Sequence, residues 1–168
     1  EETTPINPST LYGKSKNKTR KFFFSVCEKE KVSCAWARLF FPFGPGESQK
    51  RLIPSLISVF KNQKEPFGVN TKAYRDFLYI DDVADAFIFL LDSDQSGVFN
   101  VSSGKGIQIS YIVNELASYF DVNPKIILDL KTARPNEPIS LVGDNLKLRS
   151  LGWKPRYSLI RGLQEVIK

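Results

Sequence analysis

The 168 residues hold 24 Lys and Arg against 18 Asp and Glu, a net charge of +6, with 42% apolar and 12% aromatic side chains and neither histidine nor methionine. Such a chain builds a sizeable core and is not disordered, and the missing histidine excludes Ser-His-Asp, Cys-His and histidine–metal chemistry, so acid–base work falls to Tyr, Lys, Asp or Glu. No apolar run reaches bilayer length and the polar opening Glu1–Thr10 has no signal-peptide pattern, which predicts a cytoplasmic protein with no membrane partner.

Along the chain, the apolar spacing after Pro8 and Ser9 predicts a helix from about Leu11 to Glu30. Lys14, Lys18 and Lys21 share its outer face. No aromatic residues interleave with them, so they read as a solvated face and no nucleic-acid partner is expected. Val32–Phe41 (VSCAWARLFF) is a near-continuous apolar run that suits a buried parallel strand, closed by the loop PFGPGES. A helix follows at about residues 51–62. Glu65–Ile80 reads as two short strands around a turn at Asn70 and Thr71.

Asp81 and Asp82 sit where a cap and the helix dipole favour acids, ahead of the apolar helix VADAFIFLL. GVFNVSSG is a short buried strand, and Ser110 is placed to cap the helix YIVNELASYF. KIILDL looks like a strand. After the loop ARPNEP, two short helices flank LGWKP, where Trp153 is a packing anchor. Cys27 and Cys34, seven apart without a metal-ligand spacing, are expected to be free buried thiols. The alternation of strands and helices is α/β. Only the runs around Ala37 and Phe99 look like central parallel strands, and no glycine-rich dinucleotide turn follows a first strand.

Tyr12 and Lys16 lie at i and i+4, on one helix face about a turn apart. A neighbouring ammonium favours the phenolate, so the pair could act as a histidine-free general acid/base. The spacing is also simply helical, and alone it is a weak signal. Arg75 beside Asp76 reads, by itself, as a surface ion pair, and Glu137 could pair with an arginine of a site.

Six segments in one order change that weighting. PSTLYGKSK, ARLFFPFGPGE, YRDFLYIDDVADA, GVFNVSSG, ARPNEP and LGWKPRYSL together resemble the extended short-chain dehydrogenase/reductases, specifically the NAD-dependent epimerase/dehydratase family that acts on nucleotide sugars. The resemblance spans nearly the whole chain. It implies part of a Rossmann-type domain at 1–41, a first substrate-binding segment at 42–78, a return to the Rossmann domain at 79–108, and a second substrate-binding segment at 109–168.

It also implies that the chain is the C-terminal half of an enzyme whose glycine-rich turn and catalytic Ser/Thr precede Glu1. Thr3, Thr4, Ser9 and Thr10 stand too close to Tyr12 to be that Ser/Thr. By the resemblance, Tyr12 exchanges a proton with a sugar hydroxyl, Lys16 holds the nicotinamide ribose of NAD or NADP, and Phe41 and Pro42 border nicotinamide and sugar. Arg75 and Arg134 would hold the substrate diphosphate, with Arg51 and Leu52 lining the nucleotide pocket. Phe41 and Ser102 depart from the Asn and Gly of many relatives. The expected activity is epimerisation, reduction or dehydration at a sugar carbon, C4, of a nucleotide sugar, by an enzyme expected to dimerise. The isolated piece is expected to be inactive. The rival readings are a non-catalytic nucleotide-sugar-binding module and a nucleic-acid-binding protein.

Overall fold

The computed structural model of the chain describes residues 1–131 and 137–168. Its elements in chain order are α1 (Leu11–Glu30), β1 (Ala35–Leu39), β2 (Phe41–Phe43), α2 (Leu52–Phe60), β3 (Tyr74–Arg75), β4 (Phe77–Tyr79) and α3 (Ile80–Asp92). They continue as β5 (Gly97–Val101), β6 (Ile107–Gln108), α4 (Ile109–Tyr119), α5 (Lys125–Leu128), β7 (Ser140–Leu141), α6 (Leu146–Ser150) and α7 (Leu159–Ile167). The class is α/β, as expected.

α1 has the predicted bounds. Thr10 caps it from an extended backbone, its hydroxyl accepting the Gly13 N–H at 3.1 Å, and Lys31 ends it in the left-handed conformation with φ 55°. Yet none of its twenty residues is buried. Its visible anchor is Phe23, whose ring lies 6.4 Å from that of Trp36.

The expected central strands do pair: β1 and β5 run parallel, from Ala35 opposite Gly97 to Leu39 opposite Val101. β1 is half-buried rather than buried, because among the described residues it has a single strand neighbour and a loosely packed helix. β2 pairs parallel with β4, and β3 lies between β6 and β7. On β4 the two-residue period splits the core: Phe77 and Tyr79 join one apolar cluster with α2, α4 and α7, while Leu78 joins a second with Phe99, Val101, Leu148 and Trp153. Trp153 is the anchor that was anticipated.

Several local expectations fail for identifiable reasons. Both short strands of the 65–80 segment follow the turn, and residues 65–70 form no strand. Ser110 does not cap α4. Gln108 takes the cap position, and the first amide, Ile109 N–H, is satisfied by the Ala73 carbonyl at 2.9 Å. KIILDL is the one-turn helix α5, not a strand: Pro124 sets the helical φ at its start, and Asn123 Oδ1 accepts the Lys125 N–H at 3.0 Å.

Tyr79, not an aspartate, is the cap of α3. Buried Asp82 instead accepts the backbone N–H groups of Arg156 and Tyr157 at 2.9 and 3.0 Å, tying the approach to α7 onto the start of α3. Both cysteines are free, but only Cys34 is buried; Cys27 is half-buried. Burial, with Cys27 adding to it, pushes the Cys34 thiol up to about 11.

Candidate functional site

A cavity of about 270 Å³ opens between β2, the loop ahead of α2, the stretch Phe67–Asn70 and β3. Its apolar walls include Phe41, Phe43, Phe67 and Phe77. Its charges come from three places in the chain: Glu47, Lys50 and Arg51 from the loop, Arg75 from β3, and Glu137.

Arg75 is the most buried of these. It is 4% exposed, with Nη1 donating to its own strand's Tyr74 carbonyl at 2.7 Å and the guanidinium carbon 5.6 Å from the centre of the Phe41 ring. Nη2 stands 3.0 Å from Glu137 Oε1 but makes no aligned hydrogen bond among the described residues. The contact is an ion pair that leaves Nη2, itself buried, without an aligned acceptor among the described residues. A guanidinium that lines a cavity with one donor left unsatisfied is suited to an anionic oxygen. Glu137 is the arginine partner that the sequence suggested.

The surface-pair reading of Arg75 and Asp76 is overturned, since strand alternation sends them different ways and both are buried. Asp76 Oδ1 accepts from the Ser103 N–H at 2.7 Å and hydroxyl at 2.6 Å; Oδ2 accepts the Gly104 and Gly143 N–H groups at 3.0 and 3.1 Å. Burial raises its carboxyl above the ordinary value, against the pull of these donors. The carboxylate is a structural hub behind the cavity. Gly143 is required beside it, because an added Cβ would meet Ser102 Oγ at 2.5 Å and the Phe40 ring at 2.7 Å. Ser102 itself donates to the Gly143 carbonyl at 3.2 Å.

Of the residues singled out from sequence, Phe41, Pro42, Arg51, Leu52 and Arg75 line this one cavity. Arg51 sits at its mouth, paired with Glu47 at 3.1 Å. Arg134 lies outside the described residues. Lys16 lines a second, wider hollow with Gly13, Arg20, Arg38 and Phe40. Tyr12 lines neither and is 73% exposed, with the Lys16 ammonium 5.8 Å from its ring centre. The two hollows meet the chain at neighbouring residues, Phe40 and Phe41.

Sequence reasoning missed Glu47, Lys50, Phe67 and the hub Asp76. Only the i, i+4 pair of Glu47 with Arg51 left a readable trace. Among the described residues, no helix is long and apolar enough to cross a membrane, and no three acids or cysteines cluster as metal ligands.

The profile of the NAD dependent epimerase/dehydratase family matches residues 1–102. CDP-abequose synthase of Salmonella typhimurium is 25% identical over 144 residues, covering 82% of this chain and 48% of that protein. RMD from Pseudomonas aeruginosa, solved with NADPH, superposes with a TM-score of 0.85 at 26% identity, over 99% of this chain and 57% of that one. UDP-N-acetylglucosamine 4-epimerase from Methanobrevibacter ruminantium, solved with UDP-N-acetylmuramic acid, gives a TM-score of 0.87 at 25% identity, over 99% and 55%. The chain spans about half the length of the curated relatives it matches.

Proposed function

The chain belongs to the NAD-dependent epimerase/dehydratase family, and from that footing we propose that it forms the substrate-holding part, with the Tyr/Lys helix, of an enzyme that oxidises or reduces C4 of a nucleoside-diphosphate sugar. One observation carries the reading: the buried Arg75, whose Nη2 has no aligned acceptor among the described residues, lines a cavity walled by aromatic rings and shared with Lys50 and Arg51. Aromatic and aliphatic walls suit a base, and the guanidinium suits a diphosphate. The names of the relatives, which carry CDP-, UDP- and dTDP-linked sugars, support the same class.

The residues present also fit one end of NAD or NADP. Tyr12 and Lys16 offer a hydroxyl and an ammonium side by side on an accessible helix face, a donor set that matches a ribose and a reacting hydroxyl. When bound, the cofactor supplies the hydride exchange. In this reading Tyr12 moves the proton at the sugar oxygen, Lys16 orients the ribose, and Phe41 and Pro42 shield the reacting face from water. Arg75, with Arg134, anchors the diphosphate.

We further assign residues 1–41 and 79–108 to the cofactor-side unit, and 42–78 and 109–168 to the substrate-side unit. The two apolar clusters follow this division for most residues, but Leu148 and Trp153 of the last segment return to the first unit's core, and at the boundary Leu78 joins the cofactor-side cluster and Tyr79 the substrate-side one.

Titration of the chain with UDP, dTDP and CDP tests the binding half. Arg75→Met should weaken whichever nucleotide binds by roughly tenfold or more, since a charged hydrogen bond contributes about 1.5–3 kcal/mol. Equal affinity in wild type and variant sinks the Arg75 assignment. In the full-length enzyme, Tyr12→Phe should abolish hydride exchange with the sugar. The isolated chain should show no turnover, and measurable turnover by it would contradict the division of labour.

A further inference from the structure

The cavity has two lips without regular structure, the loop 44–51 and the stretch 65–70, and one side chain outside the cavity touches the supports of both. Lys64 Nζ donates to Ser55 Oγ at 2.8 Å and lies 4.7 Å from the centre of the Phe67 ring. Ser55, 2% exposed, passes the link on by donating to the Gln49 carbonyl at 2.8 Å. Ser58 Oγ contacts Gln49 Oε1 at 3.1 Å, fixing the same residue from the next turn of α2. Gln49 directly precedes Lys50 and Arg51, the cations at the mouth; Phe67 begins the opposite wall.

We propose that Lys64 is a positioning residue that staples the two lips, setting the distance between the cationic mouth and the aromatic wall before a ligand enters. The physical case is specific. The lip 44–51 is tied to α2 through Ser55 and Ser58 on Gln49. The ammonium adds a hydrogen bond to buried Ser55, which carries one of those ties, and a cation–π contact with Phe67 of the opposite lip. Removing the charge releases both at once. The cavity residues themselves are untouched, so the loss falls on preorganisation rather than on a contact with ligand. This role rests on the nucleotide-sugar reading of the cavity only for the identity of what the lips grip.

The test compares wild type with Lys64→Met, which keeps the length of the side chain without its charge, and Lys64→Arg, which keeps both contacts. Hydrogen exchange on the ligand-free chain should show amides of residues 47–51 and 67–70 exchanging several-fold faster in Lys64→Met and at wild-type rates in Lys64→Arg, with α3 unchanged. UDP should bind Lys64→Met about tenfold more weakly at an unchanged thermal midpoint, with affinity restored by Lys64→Arg. Unchanged exchange at both lips overturns the staple, whatever UDP does. Faster exchange at the lips with wild-type UDP affinity overturns its role in ligand binding. If wild type binds neither UDP nor pyrophosphate while the lips loosen as expected, the staple is supported and the nucleotide reading falls.

Discussion

Around the cavity, α2 and α4 bury Ile53, Leu56, Ile112, Val113 and Leu116 at 1% exposure or less, while α1, the longest helix among the described residues, buries nothing. The first region is fixed by packing, and Arg51 and Arg75 are paired with Glu47 and Glu137. The second is fixed by its caps and by a few lateral contacts, and it presents Tyr12, Phe22 and Leu11 to solvent. The difference teaches that the two halves of the proposed chemistry differ in preparedness: the proposed anion site is assembled within this chain, whereas the proposed acid/base pair is exposed on its surface.

Truncations should break the comparison most sharply. Leu56→Ala should cost about 3 kcal/mol of stability by denaturant unfolding, whereas Phe22→Ala should cost about 0.5 kcal/mol or less. Equal losses would mean that α1 is as well packed as α2. Thiol reactivity probes the contact of α1 with the chain beside it, where Cys34 meets Cys27: with its thiol pushed up to about 11 from 9.0, Cys34 should alkylate at pH 8 about a hundredfold more slowly in the folded than in the unfolded chain. Its rate should climb as pH approaches that value, because only then does the thiolate form; a rate already level at pH 9 would refute the shift.

Next in size is Asp76→Asn. Each oxygen of this carboxylate accepts two donors, so either orientation of the amide turns an NH₂ toward two of them. The expected cost is about 2 kcal/mol in thermal or denaturant unfolding. Smallest is a gain on the weak side of the comparison. Lys31→Gly relieves a left-handed backbone at the end of α1 and should stabilise by roughly 0.5 kcal/mol. A loss there would show that the lysine side chain holds the helix end.

The elements were legible where local chemistry and tertiary need agree. α1 declares itself through its spacing, and β1 and β5 through short apolar runs. KIILDL misleads because β-branched composition argues for a strand while Asn123-Pro124 starts a turn, and the turn prevails. Phe67 and Val69 alternate like a strand but meet no partner, and they become a cavity wall instead. Within the site, Arg75, Arg51 and Phe41 could be named from their order along the chain. Glu47 and Phe67 could not, since only folding brings them together. Asp76 was misread for a related reason: its neighbour in sequence is Arg75, but its partners lie far away along the chain.

That distance has a kinetic consequence. Asp76 draws in Ser103 and Gly104, 27 and 28 residues on, and Gly143, 67 residues on. Its bonds form only after both long loops have closed, a late event when loop entropy sets the order of assembly. Their stabilisation then belongs to the native side of the folding barrier. Losing them should quicken unfolding while refolding keeps its pace, so that in a chevron of Asp76→Asn the unfolding arm rises and the folding arm stays in place.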